Sequence, residues 1–256
     1  MDLKDKKIVG LELYKSGMSL TEISKKLKIS RKTITKYVKE SGIKIEKNVH
    51  KYFINSSYFK VIDSEAKAYF LGLFMADGCV IKRKSYVFEI TLKSEDAYIL
   101  EAFLQDAKGT YLIKDKVVKY KNNNVIYKRL IISDSEFCRN LIKQGVVPNK
   151  SLIANPPLLD DKYKRHFIRG LLDGDGHYSK SRRRITLTTT YNLLKYVLQA
   201  FNTDISLIHL KNNIAYFDIS KNYYLIIIYL YFNAHYYINR KRESILAVLH
   251  RYGKDM

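Results

Sequence analysis

The chain has 256 residues, with 46 Lys+Arg against 25 Asp+Glu and a formal charge of +21. An excess of this size points to a polyanionic partner, nucleic acid ahead of an anionic membrane surface, and says nothing about fold. No apolar run reaches the ~18 residues of a spanning helix. No signal peptide opens the sequence, and Cys79 and Cys138 form neither a disulfide framework nor a zinc motif.

In chain order, residues 1–44 predict a three-helix unit. Ile8, Leu11 and Tyr14 give a helical stripe that stops at Ser16-Gly17. A second helix starts at Ser19 or Leu20-Thr21, with Ile23 and Leu27 on its inner face. It breaks at Lys28-Ile29-Ser30, where Ser30 can cap a third helix that buries Ile34, Tyr37 and Val38 and stops at Gly42. Two short helices with such a break resemble a helix-turn-helix, although Lys28 stands where that turn often has glycine. In such a unit the second helix of the pair enters the major groove, here with Arg31, Lys32, Thr33 and Lys36 on its polar face. Residues 1–60 hold 15 Lys/Arg and 6 Asp/Glu, which suits phosphate contact. Residues 45–62 have no helical period and read as a linker with the aromatic anchors Tyr52, Phe53 and Phe59.

From residue 63 onward one pattern runs twice, over 63–150 and 151–256, with Pro156-Pro157 at the join. The first pass predicts a helix capped by Asp63 or Ser64 and ending at Gly78, then two strands that turn at Lys84-Ser85. A helix over 95–107, a hairpin around Asn122-Asn123-Asn124 and a helix ending at Gly145 complete it. The second pass predicts a helix over 161–176, strands in 177–181 and 183–190, and a helix over 191–202. Strands in 205–212 and 214–221 and a helix over 223–235 follow. The fold class expected is α+β: two pseudo-symmetric αββαββα halves with antiparallel sheets, plus the N-terminal helices. Ile90-Thr91-Leu92 recurs as Ile185-Thr186-Leu187.

Both passes end their first helix on an aspartate followed by glycine. Gly72-Leu73 and Asp77-Gly78 match Gly170-Leu171 and Asp175-Gly176, 98 residues on. Gly72 and Ala76 share one helix face, as do Gly170 and Gly174, so two helices can approach backbone to backbone. Gly78 and Gly176 are expected to stop the helices in the left-handed conformation. Packing the helices side by side brings Asp77 and Asp175 together at two negative helix poles, where carboxylates repel unless a cation lies between them. A calcium loop starting in the second motif fails, since His177 and Arg184 stand where further acidic ligands are needed. Met75 stands opposite Asp173, which is therefore expected to be a helix-end or peripheral group rather than a ligand.

"FLGLFMADG" (70–78) and "IRGLLDGDG" (168–176) resemble the two signatures of the LAGLIDADG homing endonucleases in their single-chain form. "GVVPNKS" (145–151) and "YYINRKRE" (236–243) also look like family segments. Met75, at a position often acidic, and Arg169, at one often small, depart from the pattern. The resemblance implies two saddles over the DNA major groove and a site-specific, metal-dependent double-strand break. It implies Asp77 and Asp175 as ligands of Mg²⁺, with Mn²⁺ able to substitute and backbone carbonyls, taken as those of Ala76 and Gly174, beside them. Lys150 and Lys241 are the basic groups it suggests. Groove contacts are expected from Lys82, Arg83, Lys114, Lys116, Lys128, Arg129, Arg182, Arg183 and His209. The partner is double-stranded DNA and not a membrane, met by a monomer with an internal two-fold. The setting is intracellular: the cytoplasm or nucleoid of a bacterium or phage-infected cell, or an organelle. The start at Met1-Asp2 and the absence of a His-Asn finish favour an intron-encoded or free-standing nuclease over an intein. A non-cleaving regulator or an intron RNA maturase on the same scaffold are the alternatives.

Overall fold

The computed structural model describes residues 2–16, 18–43, 45, 52–121, 123–179, 181–211 and 214–253, in two compact units, 1–51 and 52–256. In the first unit, α1 (Leu3–Lys15), α2 (Leu20–Leu27) and α3 (Arg31–Glu40) enclose Ile23, Leu27, Ile34 and Val38. Asp2 and Ser19 each form a capping box, and Ser30 caps α3 through the Thr33 amide. The inner face of α1 differs from the expected stripe: Ile8 is 60% exposed. Buried Gly10 faces the core instead, where an added Cβ would touch Ile34 and Leu27 at 3.4 Å. Lys28 turns the chain at φ +52°, and Gly42 ends α3 at φ +73° as expected. Gly17 lies outside the described residues.

The second unit contains both predicted passes. The first runs α4 (Glu65–Ala76), β1 (Gly78–Lys82), β2 (Tyr86–Lys93), α5 (Ala97–Asp106), β3 (Ile113–Tyr120), β4 (Asn123–Ile132) and α6 (Ser135–Lys143). The second runs α7 (Asp161–Asp175), β5 (His177–Tyr178), β6 (Ile185–Thr189), α8 (Tyr191–Ala200), β7 (His209–Lys211), β8 (Ile214–Ile219) and α9 (Tyr223–Tyr231). Each pass makes a four-stranded antiparallel sheet, ordered β1-β2-β4-β3 and β5-β6-β8-β7. One face of each sheet packs on helices, through Phe88, Ile90 and Leu92 in one and Ile185 and Leu187 in the other; the opposite face is open.

Several expectations need correction. Residues 52–62 are no free linker: Ile54, Tyr58 and Phe59 are buried, and Phe53, offered as an anchor, is 64% exposed. Asn55 N–H donates to the Ala107 carbonyl and Thr110 N–H to that of Phe53, which pins this segment to the loop before β3. The rest of the proposed linker, 46–51, and Asn122 of the hairpin turn lie outside the described residues. Residues 205–207 form a 3₁₀ turn capped by Asp204, so β7 is short. A final helix, α10 (Asn239–Arg251), was not expected, although Ser244, Ile245, Val248 and Leu249 form its buried stripe. The repeated Ile-Thr-Leu text is offset in register. Gly78 pairs with Ile90, whereas His177 pairs with Thr186, which sets Leu187 as the counterpart of Ile90. A shift of two residues keeps the same side chains facing the core.

Candidate active site

The centre of the second unit is the seam between α4 and α7. A Cβ on Gly72 would lie 2.0 Å from the Phe167 carbonyl oxygen, and one on Gly170 would lie 2.0 Å from that of Tyr69. Backbone meets backbone there, as the small-residue spacing requires. Farther down, a Cβ on Gly174 would lie 2.3 Å from that of Ala76 and 3.1 Å from Oδ2 of Asp77. The helix-stopping glycines serve space rather than handedness. Gly176 is extended (φ −76°, ψ 156°), and Gly78 is absent from the positive-φ positions. A Cβ on Gly78 would meet the Phe88 ring at 2.6 Å, and one on Gly176 would meet the Leu172 carbonyl oxygen at 2.6 Å.

Asp77 and Asp175 emerge where this seam opens. Desolvation by the surrounding protein, then the nearby charge of Asp175, pushes the Asp77 carboxyl up to about 6, against the pull of Lys241 and Lys150. Desolvation also raises Asp175, opposed by Lys150 and Lys241. Each lysine lies on the helix-end carbonyls of its own half. The Lys150 amine donates to the Ala76 carbonyl at 2.8 Å, and the Lys241 amine to those of Leu172 at 3.2 Å, Gly174 at 3.5 Å and Gly176. Burial lowers both ammonium groups, opposed chiefly by Asp175 at Lys150 and by Asp173 at Lys241. A cavity of about 530 Å³ opens beside Lys150 and Asp175, walled by Met75, Leu152 and Thr188 to Thr190. Among the described residues there is no cluster of three or more His, Cys, Asp or Glu able to hold a metal, so the pair of carboxylates stands alone.

Asp173 is not peripheral. It is fully buried, with its carboxylate accepting from Tyr69 Oη (2.9 Å), Tyr231 Oη (2.7 Å) and Ile238 N–H (2.8 Å). It thereby ties α4, α9 and the approach to α10 to one point beside Lys241. Arg169 bridges the two seam helices, from α7 to the first turn of α4. Completely buried, it donates to the carbonyls of Tyr236 and Leu230, each at 2.7 Å, and to Glu65 Oε1 at 2.8 Å. Glu65 also accepts from the His235 amide at 2.9 Å.

The basic candidates fall into groups. Lys114, Lys116 and Arg129 share the open face of the first sheet. Glu89, missed in the sequence, lies 3.5 Å from Lys116 and 3.6 Å from Arg129. Its signal was the alternation Val87, Glu89, Thr91, Lys93 along β2. Lys128 is a correction: it pairs in register with Leu92 and Asp115, which places it on the helical face, 2.6 Å from the Asp115 carboxylate. Lys82 and Arg83 occupy the tip of the first hairpin, exposed. Arg182 and Arg183 occupy the β5–β6 turn, where Arg183 stacks on Tyr252 at 4.5 Å. His209 lies beside Tyr216, its ring 5.3 Å away. In the other unit, Arg31, Lys32 and Lys36 are exposed along α3, while Thr33 is engaged by Ser30 at 2.8 Å.

Two αββαββα halves joined by a two-helix seam, with one aspartate at the end of each seam helix, define a duplicated saddle-sheet protein. The family model of a LAGLIDADG-like domain matches residues 64–143 and 162–204, which include both nonapeptides. Each of the two matched segments carries one of the two motifs, so the chain is similar to this family in both passes. Among solved structures, the homing endonuclease I-WcaI bound to its DNA recognition sequence superposes with a TM-score of 0.51 at 15% identity, over 81% of this chain and 96% of that one. Mesophilic variants of I-DmoI give 0.46 at 20% identity, over 74% and 97%. I-SmaMI bound to uncleavable DNA gives 0.46 at 12% identity, over 73% and 92%. The first of these shows a shared fold. No curated protein sequence matches the chain.

Proposed function

We propose that the chain is a site-specific, divalent-metal-dependent DNA endonuclease that makes a double-strand break in a long target. The observation that carries this reading is the convergence of Asp77 and Asp175 at adjoining helix ends, each end carrying a lysine amine. The donor set fits a hard divalent cation such as Mg²⁺, with Mn²⁺ able to substitute. Two carboxylates kept close at negative helix poles are relieved by a cation. Further oxygens are available from water, phosphate and the Ala76 and Gly174 carbonyls, which keep a second lone pair while accepting from the lysines.

When bound, such a cation supplies Lewis acidity at the scissile phosphate and activates water. Asp77 and Asp175 hold the reacting region at the seam and must be ionised to do so. The Nζ groups of Lys150 and Lys241 donate toward oxygens on which charge develops, where preorganised donors are most effective. One lysine at each helix end provides one reacting centre per strand, in a monomer with an internal two-fold. Lys114, Lys116 and Arg129 on one saddle, with Arg182, Arg183 and His209 on the other, contact the groove and its phosphates. The helix carrying Arg31, Lys32 and Lys36 adds contacts as the second helix of a helix-turn-helix. The protein acts inside the cell, on DNA.

Incubating the protein with a randomised double-stranded DNA library, with and without Mg²⁺, tests the reading. Metal-dependent cuts on both strands at one recurrent sequence, leaving short 3′ overhangs, are expected. Tight, site-specific binding without cutting in Mg²⁺ or Mn²⁺ would instead make it a regulator.

A further inference from the structure

The segments that carry the two lysines are each fastened by the opposite half. Tyr98, in the first turn of α5, accepts at Oη from the Asn239 amide (2.6 Å) and donates to the Tyr237 carbonyl (3.0 Å). Two residues earlier, Asp96, 2% exposed, accepts from Arg240 Nε at 2.9 Å. These bonds bracket the chain immediately before Lys241. At the equivalent turn of α8, Thr190 Oγ1 donates to the Ala154 carbonyl and Asn192 Nδ2 to Asn155 Oδ1, each at 2.7 Å. Ala154 N–H in turn donates to the Lys150 carbonyl at 2.8 Å, so this clasp closes on Lys150.

We infer that Tyr98 and Asp96 are positioning residues for Lys241, and Thr190 and Asn192 for Lys150, so that cleavage of each DNA strand depends on a clasp supplied by the opposite half. The inference rests on the endonuclease reading above for its effect on strands, though the clasp itself does not. None of the four touches the seam carboxylates; each acts through the backbone that carries a lysine. The two clasps differ in strength. The Lys241 segment is held by a phenol that both donates and accepts, an ion pair and the Asp173–Ile238 bond. The Lys150 segment is held by single neutral bonds. Tyr98→Phe is the sharpest probe, because it removes one oxygen and keeps the ring.

The experiment uses the full chain and a supercoiled plasmid bearing the selected target, with each strand labelled separately. Lys241→Met and Lys150→Met first identify the strand that depends on each lysine. Tyr98→Phe is expected to slow the Lys241-dependent strand about tenfold and leave the other within about twofold, since small misplacements of a catalytic group have effects of this order. Nicked circles should then accumulate. Thr190→Val should slow the opposite strand. Equal slowing of both strands, or no change, by Tyr98→Phe would overturn the assignment, because loss of general stability cannot change the strand ratio. Hydrogen exchange on the metal-free protein gives a readout without cleavage. Tyr98→Phe should raise exchange at 236–241 and leave 148–154 as in the parent protein, and unchanged exchange at 236–241 also overturns it. If the parent protein cuts no DNA while exchange responds as expected, the endonuclease reading fails and the clasp stands.

Discussion

Asp77 carries a pH signature that can be measured without substrate. Its carboxyl is raised from 3.8 to about 6, so the folded protein holds this proton more tightly than the unfolded chain does. This contribution to stability is full below about 3.8 and is lost as pH rises through about 6. Relative to Asp77→Asn, the metal-free parent protein should therefore lose Tm between these limits. Mg²⁺ should raise the parent Tm at neutral pH, and this gain should shrink below about 6 as protons compete. Asp77→Asn and Asp175→Asn should each abolish the gain and lower cleavage by orders of magnitude, with DNA affinity in Ca²⁺ or EDTA close to normal. An active Asp175→Asn protein would remove it from the metal site. Asp173 behaves differently, because three donors converge on it in a fully buried place. Asp173→Ala should cost on the order of 3 kcal/mol in urea unfolding, at ~1 or more per orphaned donor. Asp173→Asn should cost less, since its amide oxygen can accept two of these bonds while the Tyr231 hydroxyl turns toward Tyr178, 3.1 Å away.

The seam helices tolerate no side chain at their crossing. In Gly72→Ala or Gly170→Ala the new methyl would meet a carbonyl oxygen at 2.0 Å, and that oxygen belongs to a helix backbone that cannot rotate aside. Spreading the helices should cost roughly 3 kcal/mol or more, separate Asp77 from Asp175 and weaken the Mg²⁺-dependent rise in Tm. A variant with the parent's unfolding midpoint would mean that the crossing is loose. The N-terminal helices hold the opposite kind of residue. Lys28 adopts φ +52°, a left-handed conformation that glycine takes at little cost. Lys28→Gly should slow hydrogen exchange in α2 and α3 by an amount worth up to ~1 kcal/mol, the balance of relieved strain against a freer unfolded chain.

At the scale of the molecule, the proposed contribution of the N-terminal helices to DNA binding is a matter of charge and can be read from salt dependence. Deleting residues 1–44 removes the exposed Arg31, Lys32 and Lys36. The shortened protein should bind its target more weakly, and log K should fall less steeply with log salt, by about 0.9 per lost phosphate contact. An unchanged footprint and salt slope would show that this unit does not touch DNA.

The sequence alone determined the duplicated αββαββα order, the seam of small residues and the paired aspartates. These are local periodicities, stated twice in one chain, and each repeat checks the other. It also placed Ser19 and Ser30 at helix starts, where a side-chain oxygen meets a neighbouring amide and no distant residue is needed. Tertiary structure decided what depends on partners remote in sequence. It built Tyr58 and Phe59 into the core, where a reading of local polarity had placed a linker. It assigned Lys128 to the helical face, since the register across β3 and β4, not the residue type, fixes which way a strand side chain points. It joined Arg169 of one seam helix to Glu65 of the other, and it surrounded Asp173 with Tyr69, Tyr231 and Ile238. Burial and hydrogen-bond partners arise only when segments up to 170 positions apart meet, as Glu65 and His235 do. No short motif encodes that meeting, because the partners that satisfy a buried charge are chosen by the packing of whole elements.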